Sequence, residues 1–188
     1  MNEKRVALDK FAEAIQRDDL IIAILPTGYG KTSFFEHNPD LITTKTVHVL
    51  PLQAIVQQFY QNMRGKLKKD EEKGIIHKLG ADDIGYQMAL QIANQKEGKR
   101  PYLSRKYMIS TVDSYVLDFY GIPVHEIFRS KWHSDLALLF ARTSNLILDE
   151  FHLMAPVDTV DTEDAKTKED ANTKTETEFA KVIEVFKN

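Results

Sequence analysis

Leu20-Ile21-Ile22-Ala23-Ile24-Leu25-Pro26-Thr27-Gly28-Tyr29-Gly30-Lys31-Thr32 is the stretch whose reading decides the fold. Its first six residues are apolar and read as a buried strand. The run then breaks into a glycine-rich turn ahead of a segment able to be helical. Glycines at 28 and 30 let the backbone curl, so that successive N–H groups and the start of the helix face an anion. Lys31 adds a cation that reaches β and γ phosphates, and the Thr32 hydroxyl can ligate magnesium. Pro26, Thr27, Gly28, Tyr29, Gly30, Lys31 and Thr32 are therefore read as a phosphate loop, with ATP and Mg2+ as cofactors. An ordinary glycine-rich turn is the bland alternative, but Gly-x-Gly-Lys-Thr directly behind an apolar strand is an unusual string for one.

Working outward, apolar runs that read as strands recur at 46–50, 75–79, 107–110 and 145–148, each bounded by turn or polar residues. Helical patterns lie between them. Leu8, Phe11 and Ile15 share one face of a first helix; Ile55, Val56, Phe59, Tyr60 and Met63 share a face of another; Ile84, Met88 and Ile92 have the spacing of a third. Strands alternating with helices predict an α/β domain with a mostly parallel sheet covered on both faces, which explains strands that are continuously apolar. Residues 121–143 read as an insertion, opened by Ile122-Pro123, in which Leu136, Leu138, Leu139 and Phe140 suggest a short packing helix.

The second chemical signal is Leu146-Ile147-Leu148-Asp149-Glu150-Phe151-His152, an apolar strand ending in paired acids. Alone, Asp-Glu after a strand marks a helix N-terminus as readily as a site. With a phosphate loop upstream on the same expected sheet, Asp149 reads as the carboxylate that holds magnesium and Glu150 as the base that orients and deprotonates water.

Bulk composition narrows the class. The 188 residues are 43% apolar, enough for one domain with a real core, and contain no cysteine, so neither a disulfide framework nor a thiolate zinc site is available. No stretch approaches the ~20 apolar residues of a membrane span, and the N-terminus lacks a signal-peptide apolar run, so a cytoplasmic protein is expected. The net charge of -3 is unevenly spread. Residues 157–178 hold eight acids and three lysines, leaving the rest of the chain at about +2, which neither supports nor excludes a polyanion partner.

Leu25 to Thr32 resembles motif I of superfamily 2 helicases, a form of the loop that often lacks the leading glycine, and Asp149-Glu150-Phe151-His152 is similar to their DExH box. Val49-Leu50-Pro51-Leu52-Gln53-Ala54-Ile55-Val56-Gln57-Gln58 resembles motif Ia, and Ile109-Ser110-Thr111-Val112-Asp113-Ser114 resembles a later nucleic-acid motif. Together with Asp-Glu-x-His-Leu these strings look most like the CRISPR-associated helicase of type I interference systems, over residues 11–154. The resemblance implies a RecA-like first motor domain at 1–156. It implies ATP hydrolysis with Lys31 and Glu150 catalytic, Thr32 and Asp149 on the metal, His152 among the nucleotide-contacting residues, and single-stranded DNA across Pro51, Leu52, Gln53, Thr111 and Asp113. A separate HD nuclease and a CRISPR surveillance complex are its implied partners, the sequence having no His-Asp dipeptide of its own. Neither a Ser-Ala-Thr motif nor an arginine-finger motif occurs in these residues, so an incomplete motor is expected. A non-catalytic nucleotide-binding module docking on a partner complex or nuclease subunit is the competing reading.

Residues 157–178 are Thr-rich, acidic and without aromatics, and read as a flexible linker, followed at 179–188 by the start of a helix. His125-Glu126-Ile127-Phe128-Arg129 begins like a zinc-protease helix but has Arg where the second His is required. Lys96, Lys99, Arg100, Arg105 and Lys106, interleaved with Tyr102 and Tyr107, read as a solvated loop before a nucleic-acid surface. Arg64, Lys66, Lys68 and Lys69 run into Asp70, Glu71 and Glu72, as on an exposed helix surface. Trp132 reads as a packing residue.

Overall fold

Thr46–Leu50 forms β1, the strand about which the sheet is built, in a computed structural model that describes residues 3–25, 28–88, 98, 100–123 and 133–150, without the side chains of 3–5. All five of its residues are buried. β1 pairs in parallel with β3 (Tyr107–Thr111) on one side and β4 (Asn145–Leu148) on the other, and β2 (Ile84–Gln87) pairs in parallel with β3. The order is β2-β3-β1-β4. Parallel neighbours need crossovers, and here they carry α3 (Gln53–Glu72) after β1, then α4 (Val112–Phe119) and α5 (Ser134–Thr143) after β3.

Alternate residues of each strand go to opposite faces, and both faces are covered. Leu50, Tyr107, Ile109 and Ile147 pack with Val56, Phe59, Met63 and Leu67 of α3 and with Phe34 and Phe35 of α2 (Lys31–His37). Leu8, Phe11 and Ile15 of α1 (Glu3–Arg17) lie against the same cluster. Val47, Val49, Met108, Leu146 and Leu148 pack instead with Tyr115 of α4 and with Ala141 and Phe140 of α5. Full burial of a large apolar side chain contributes roughly 1.5–3 kcal/mol, so the four α3 side chains alone hold that helix firmly on the sheet.

The helical faces expected for α1 and α3 are therefore as observed, as are the strands at 46–50, 107–110 and 145–148. Three expectations are corrected. Residues 75–79 form no strand, because Gly74 at φ +77 closes α3 and the Ile75 N–H is taken by the Asp70 carbonyl at 2.8 Å, leaving only Leu79 in the core. Ile84 belongs to β2 and not to a helix with Met88 and Ile92. Its neighbour Gly85 sits where a Cβ would come within 2.8 Å of Met108 Sδ, a close strand-to-strand approach that outweighs the helical spacing. Leu20–Leu25 makes no strand pairing among the described residues, and Leu20, Ile22 and Ile24 are exposed, Ile24 at 91%. An apolar run becomes a strand only where a neighbour takes up its backbone groups.

α5 confirms the short helix expected in the insertion, but its buried face is Ala137 and Ala141, while Leu136 and Leu139 are exposed. Tyr115 donates to the Ala141 carbonyl at 3.2 Å, which fixes α5 beside α4. Pro26, Thr27, Ile92, Lys96, Lys99, 125–129, Trp132, Phe151, His152, the linker at 157–178 and the helix at 179–188 lie outside the described residues. Among the described residues, no helix is long and apolar enough to cross a membrane.

Candidate functional site

The site gathers at the carboxyl ends of the strands, where open parallel sheets present their ligands with side chains from adjacent strand tips. Leu50 lies opposite Thr111 in the ladder, and the Asp149 N–H donates to the Val49 carbonyl at 3.1 Å, so the tips of β3, β1 and β4 stand side by side. Asp149-Glu150, Pro51-Leu52-Gln53 and Thr111-Val112-Asp113, read from three separate stretches of sequence, thus share one edge.

Gly28 and Gly30 adopt φ +76 and +96, the left-handed region that costs side-chain-bearing residues energy, and Gly30 caps α2. Among the described residues, nothing lies within 4 Å of the space where a Gly28 Cβ would be. α2 then presents Lys31 and Thr32 from its first turn. Lys31 Nζ donates to the Leu25 carbonyl at 3.1 Å and lies 3.7 Å from Glu150 Oε1. Both side chains are about a quarter exposed, so the pair is open to an incoming anion and to solvent screening. Glu150 itself has φ +52, a left-handed conformation that for a non-glycine residue stores about 1–3 kcal/mol and is found at functional turns. This backbone turn aims Glu150 at Lys31.

Asp149 is buried at the tip of β4. Burial pushes its carboxyl upward, but the nearby His48 and Thr32 side chains and the Glu150 N–H outweigh that and hold it below the ordinary carboxylate range. The Glu150 N–H donates to Oδ1 at 2.9 Å. Oδ2 faces His48 Nε2 at 3.7 Å, and His48 Nδ1 lies 2.7 Å from the Tyr107 hydroxyl. Burial keeps the Tyr107 hydroxyl far above its usual range and so protonated. His48 was not singled out from sequence, and Tyr107, grouped there with the solvated basic loop, is instead a fully buried residue of β3. The available signal was a polar residue at the centre of the otherwise apolar Thr-Val-His-Val-Leu strand.

The donor set fits magnesium-bound nucleotide. Thr32 and Asp149 could supply the hard oxygens that Mg2+ takes sparingly from protein, the remainder coming from phosphates and water. Among the described residues no group of three or more His, Cys, Asp or Glu forms a metal cage.

At the neighbouring strand tips, Leu52 and Gln53 are exposed and Pro51 is half-buried, while Asp113 is exposed at the start of α4. Thr111 differs: it is buried and its hydroxyl donates to Ser114 Oγ at 3.1 Å. Of the basic loop, Lys106 Nζ donates to the Lys78 carbonyl at 3.0 Å, and Arg105 is half-buried. A cleft of about 330 Å³ is lined by Gln57, Tyr60, Gln61, Arg64, Gly65, Lys68 and Tyr86, and contains none of these site residues.

The profile of the DEAD/DEAH box helicase family matches residues 7–173, most of the chain. No curated protein and no solved structure matches it. The sheet and its flanking helices are those of a RecA-like helicase domain, and proteins of that family bind nucleic acid and bind ATP with magnesium.

Proposed function

Given that this chain belongs to the DEAD/DEAH box helicase family, we propose that it is the first motor domain of an ATP-dependent DNA helicase or translocase acting in CRISPR interference. The observation that carries the catalytic part is the convergence of Lys31 and Thr32 with Glu150 and Asp149 at one strand edge. Lys31 neutralises phosphate oxygens, Thr32 and Asp149 hold magnesium, and Glu150 takes the proton of the attacking water. Magnesium ATP, when bound, supplies the phosphoryl group and offsets its charge. The Lys31–Glu150 contact ties the cation and the base together, so a phosphate that draws Lys31 away leaves Glu150 facing the water.

Single-stranded DNA is assigned to the adjacent tips, with Leu52, Gln53 and the backbone N–H groups that open α3 and α4 as contacts, and Pro51, Thr111 and Asp113 framing them. The buried Thr111 hydroxyl serves Ser114, so its contribution is to shape the turn. Assignment to type I interference, with a separate HD nuclease and a surveillance complex as partners in the cytoplasm, rests on the likeness of the motif strings. Calorimetry with ATP and magnesium tests the site: Lys31→Ala is expected to weaken binding at least tenfold, the loss of one charged hydrogen bond at about 1.5–3 kcal/mol. Glu150→Gln is expected to retain binding and abolish phosphate release. Unchanged affinity in Lys31→Ala would overturn the assignment.

A further inference from the structure

His48 and Asp149 each leave a buried side-chain atom without a hydrogen-bond partner among the described residues, and the two atoms, His48 Nε2 and Asp149 Oδ2, face one another. Leaving two such groups unpaired costs several kcal/mol, so their mutual orientation calls for an account. His48 has no exposed surface and lies at the middle of β1, between β3 and β4. Its ring is fixed by edge contacts with Phe35 at 5.6 Å and Phe59 at 4.9 Å. On its far side the Tyr107 hydroxyl reaches Nδ1 at 2.7 Å.

We infer that Tyr107, His48 and Asp149 form a relay across three strands in which His48 is a positioning residue for Asp149. Among the described residues the buried Tyr107 hydroxyl has no acceptor but Nδ1, so it donates there, which leaves the imidazole proton on Nε2, aimed at Oδ2. The 3.7 Å separation exceeds an N–H···O bond by about 0.8 Å, within reach of a small turn of the Asp149 side chain. With Oδ1 held by the Glu150 N–H and Oδ2 held by His48, the carboxylate keeps one rotamer facing Thr32. A neighbour that fixes a ligating carboxylate in this way tunes the metal without touching it. The inference rests on the reading of Asp149 as a magnesium-holding group.

Two measurements on the whole chain test it. Nitrogen-15 NMR of the metal-free protein reads the His48 tautomer directly: the Nε2–H form is expected in the parent, and Tyr107→Phe is expected to lose that preference. An Nδ1–H form in the parent would overturn the relay. Calorimetry of ADP with and without magnesium gives the second readout. His48→Leu is expected to reduce the magnesium-dependent gain in affinity by roughly tenfold, the lower end of the 10- to 100-fold effect of such neighbours, and to leave binding in EDTA unchanged. His48→Gln places an amide N–H at the Nε2 position, so restoration of most of the gain is expected in the Tyr107→Phe/His48→Gln double variant. A merely structural role would not distinguish Leu from Gln in this way. Should His48→Leu fail to fold, Tyr107→Phe carries the same test at smaller amplitude. Lys31→Ala separates the two failures. If it leaves ADP affinity unchanged, the site reading falls and the relay with it; if it weakens binding while His48→Leu keeps its full magnesium gain, the relay alone is overturned.

Discussion

Asp149 and Asp118 are both shut away from water against the same sheet, Asp149 at 8% exposure on the tip of β4 and Asp118 at 0% on α4. Burial pushes both carboxyls upward, yet they end on opposite sides of the ordinary value. Asp118 rises to about 7, its burial opposed only by the hydrogen bond from Gln87 Nε2 at 2.6 Å. Asp149 is held low, because His48 and Thr32 face its carboxylate and the Glu150 N–H donates to it. Each has one buried oxygen without a partner among the described residues, so burial and incomplete satisfaction are common to both. The number of donors turned toward the carboxylate decides which stays charged. One of the two is thereby fit to hold a cation at neutral pH, and the other is a strained structural group.

The comparison can be tested by making the same change at both positions. Asp118→Asn removes a charge that burial disfavours. The folded carboxyl keeps its proton up to about pH 7 and the unfolded one only to 3.8, so the native state binds more protons in that window and stability falls as pH rises through it. Three pKa units correspond to at most about 4 kcal/mol, and the new amide must find partners, so a gain of about 1–3 kcal/mol at pH 8 is expected, together with loss of the slope between pH 4 and 7. Urea melts across that range measure it. A destabilised Asp118→Asn at pH 8 would mean that this carboxylate has a cationic partner in solution.

Asp149→Asn is expected to act with the opposite sign. It loses charge-assisted hydrogen bonds worth about 1.5–3 kcal/mol, and magnesium-dependent nucleotide affinity falls about 10- to 100-fold, whereas Asp118→Asn leaves that affinity where it was. Equal effects of the two substitutions in calorimetry would erase the distinction between them. The smallest expected effect comes from Gln87→Leu, which removes the donor to Asp118 and orphans the Leu103 N–H that reaches Gln87 Oε1 at 3.3 Å. A loss of about 1–2 kcal/mol is expected at pH 8 and less at pH 5, where Asp118 is neutral. Equal losses at both pH values would show that Gln87 does not serve the carboxylate.

How much of this was legible in advance follows the same division. The phosphate loop and the Asp149-Glu150 pair are strings in which residues close in sequence must act together, so their chemistry could be read from spacing, and Lys31 and Glu150 do meet. The apolar face of α3 was legible because Val56, Phe59, Tyr60 and Met63 repeat at the helical period. β2 was not, since Ile84, Met88 and Ile92 satisfy that period by coincidence while Gly85 answers to Met108 on another strand. Leu20–Leu25 and Thr46–Leu50 look alike as apolar runs. Only the second has neighbours on both edges.

Sequence by itself determined the local pattern: a glycine turn ahead of Lys31 and Thr32, an apolar strand that ends in paired carboxylates, and strands that alternate with helices. Those properties belong to short segments, whose sterics and donors are set by a few consecutive residues. The protonation states of the two buried aspartates, the burial of the Thr111 hydroxyl and the alignment of Tyr107, His48 and Asp149 were decided only by the tertiary structure. Each depends on strand register and on which side chains the sheet brings within hydrogen-bond reach, and the field at a buried group is the sum over neighbours distant in the chain.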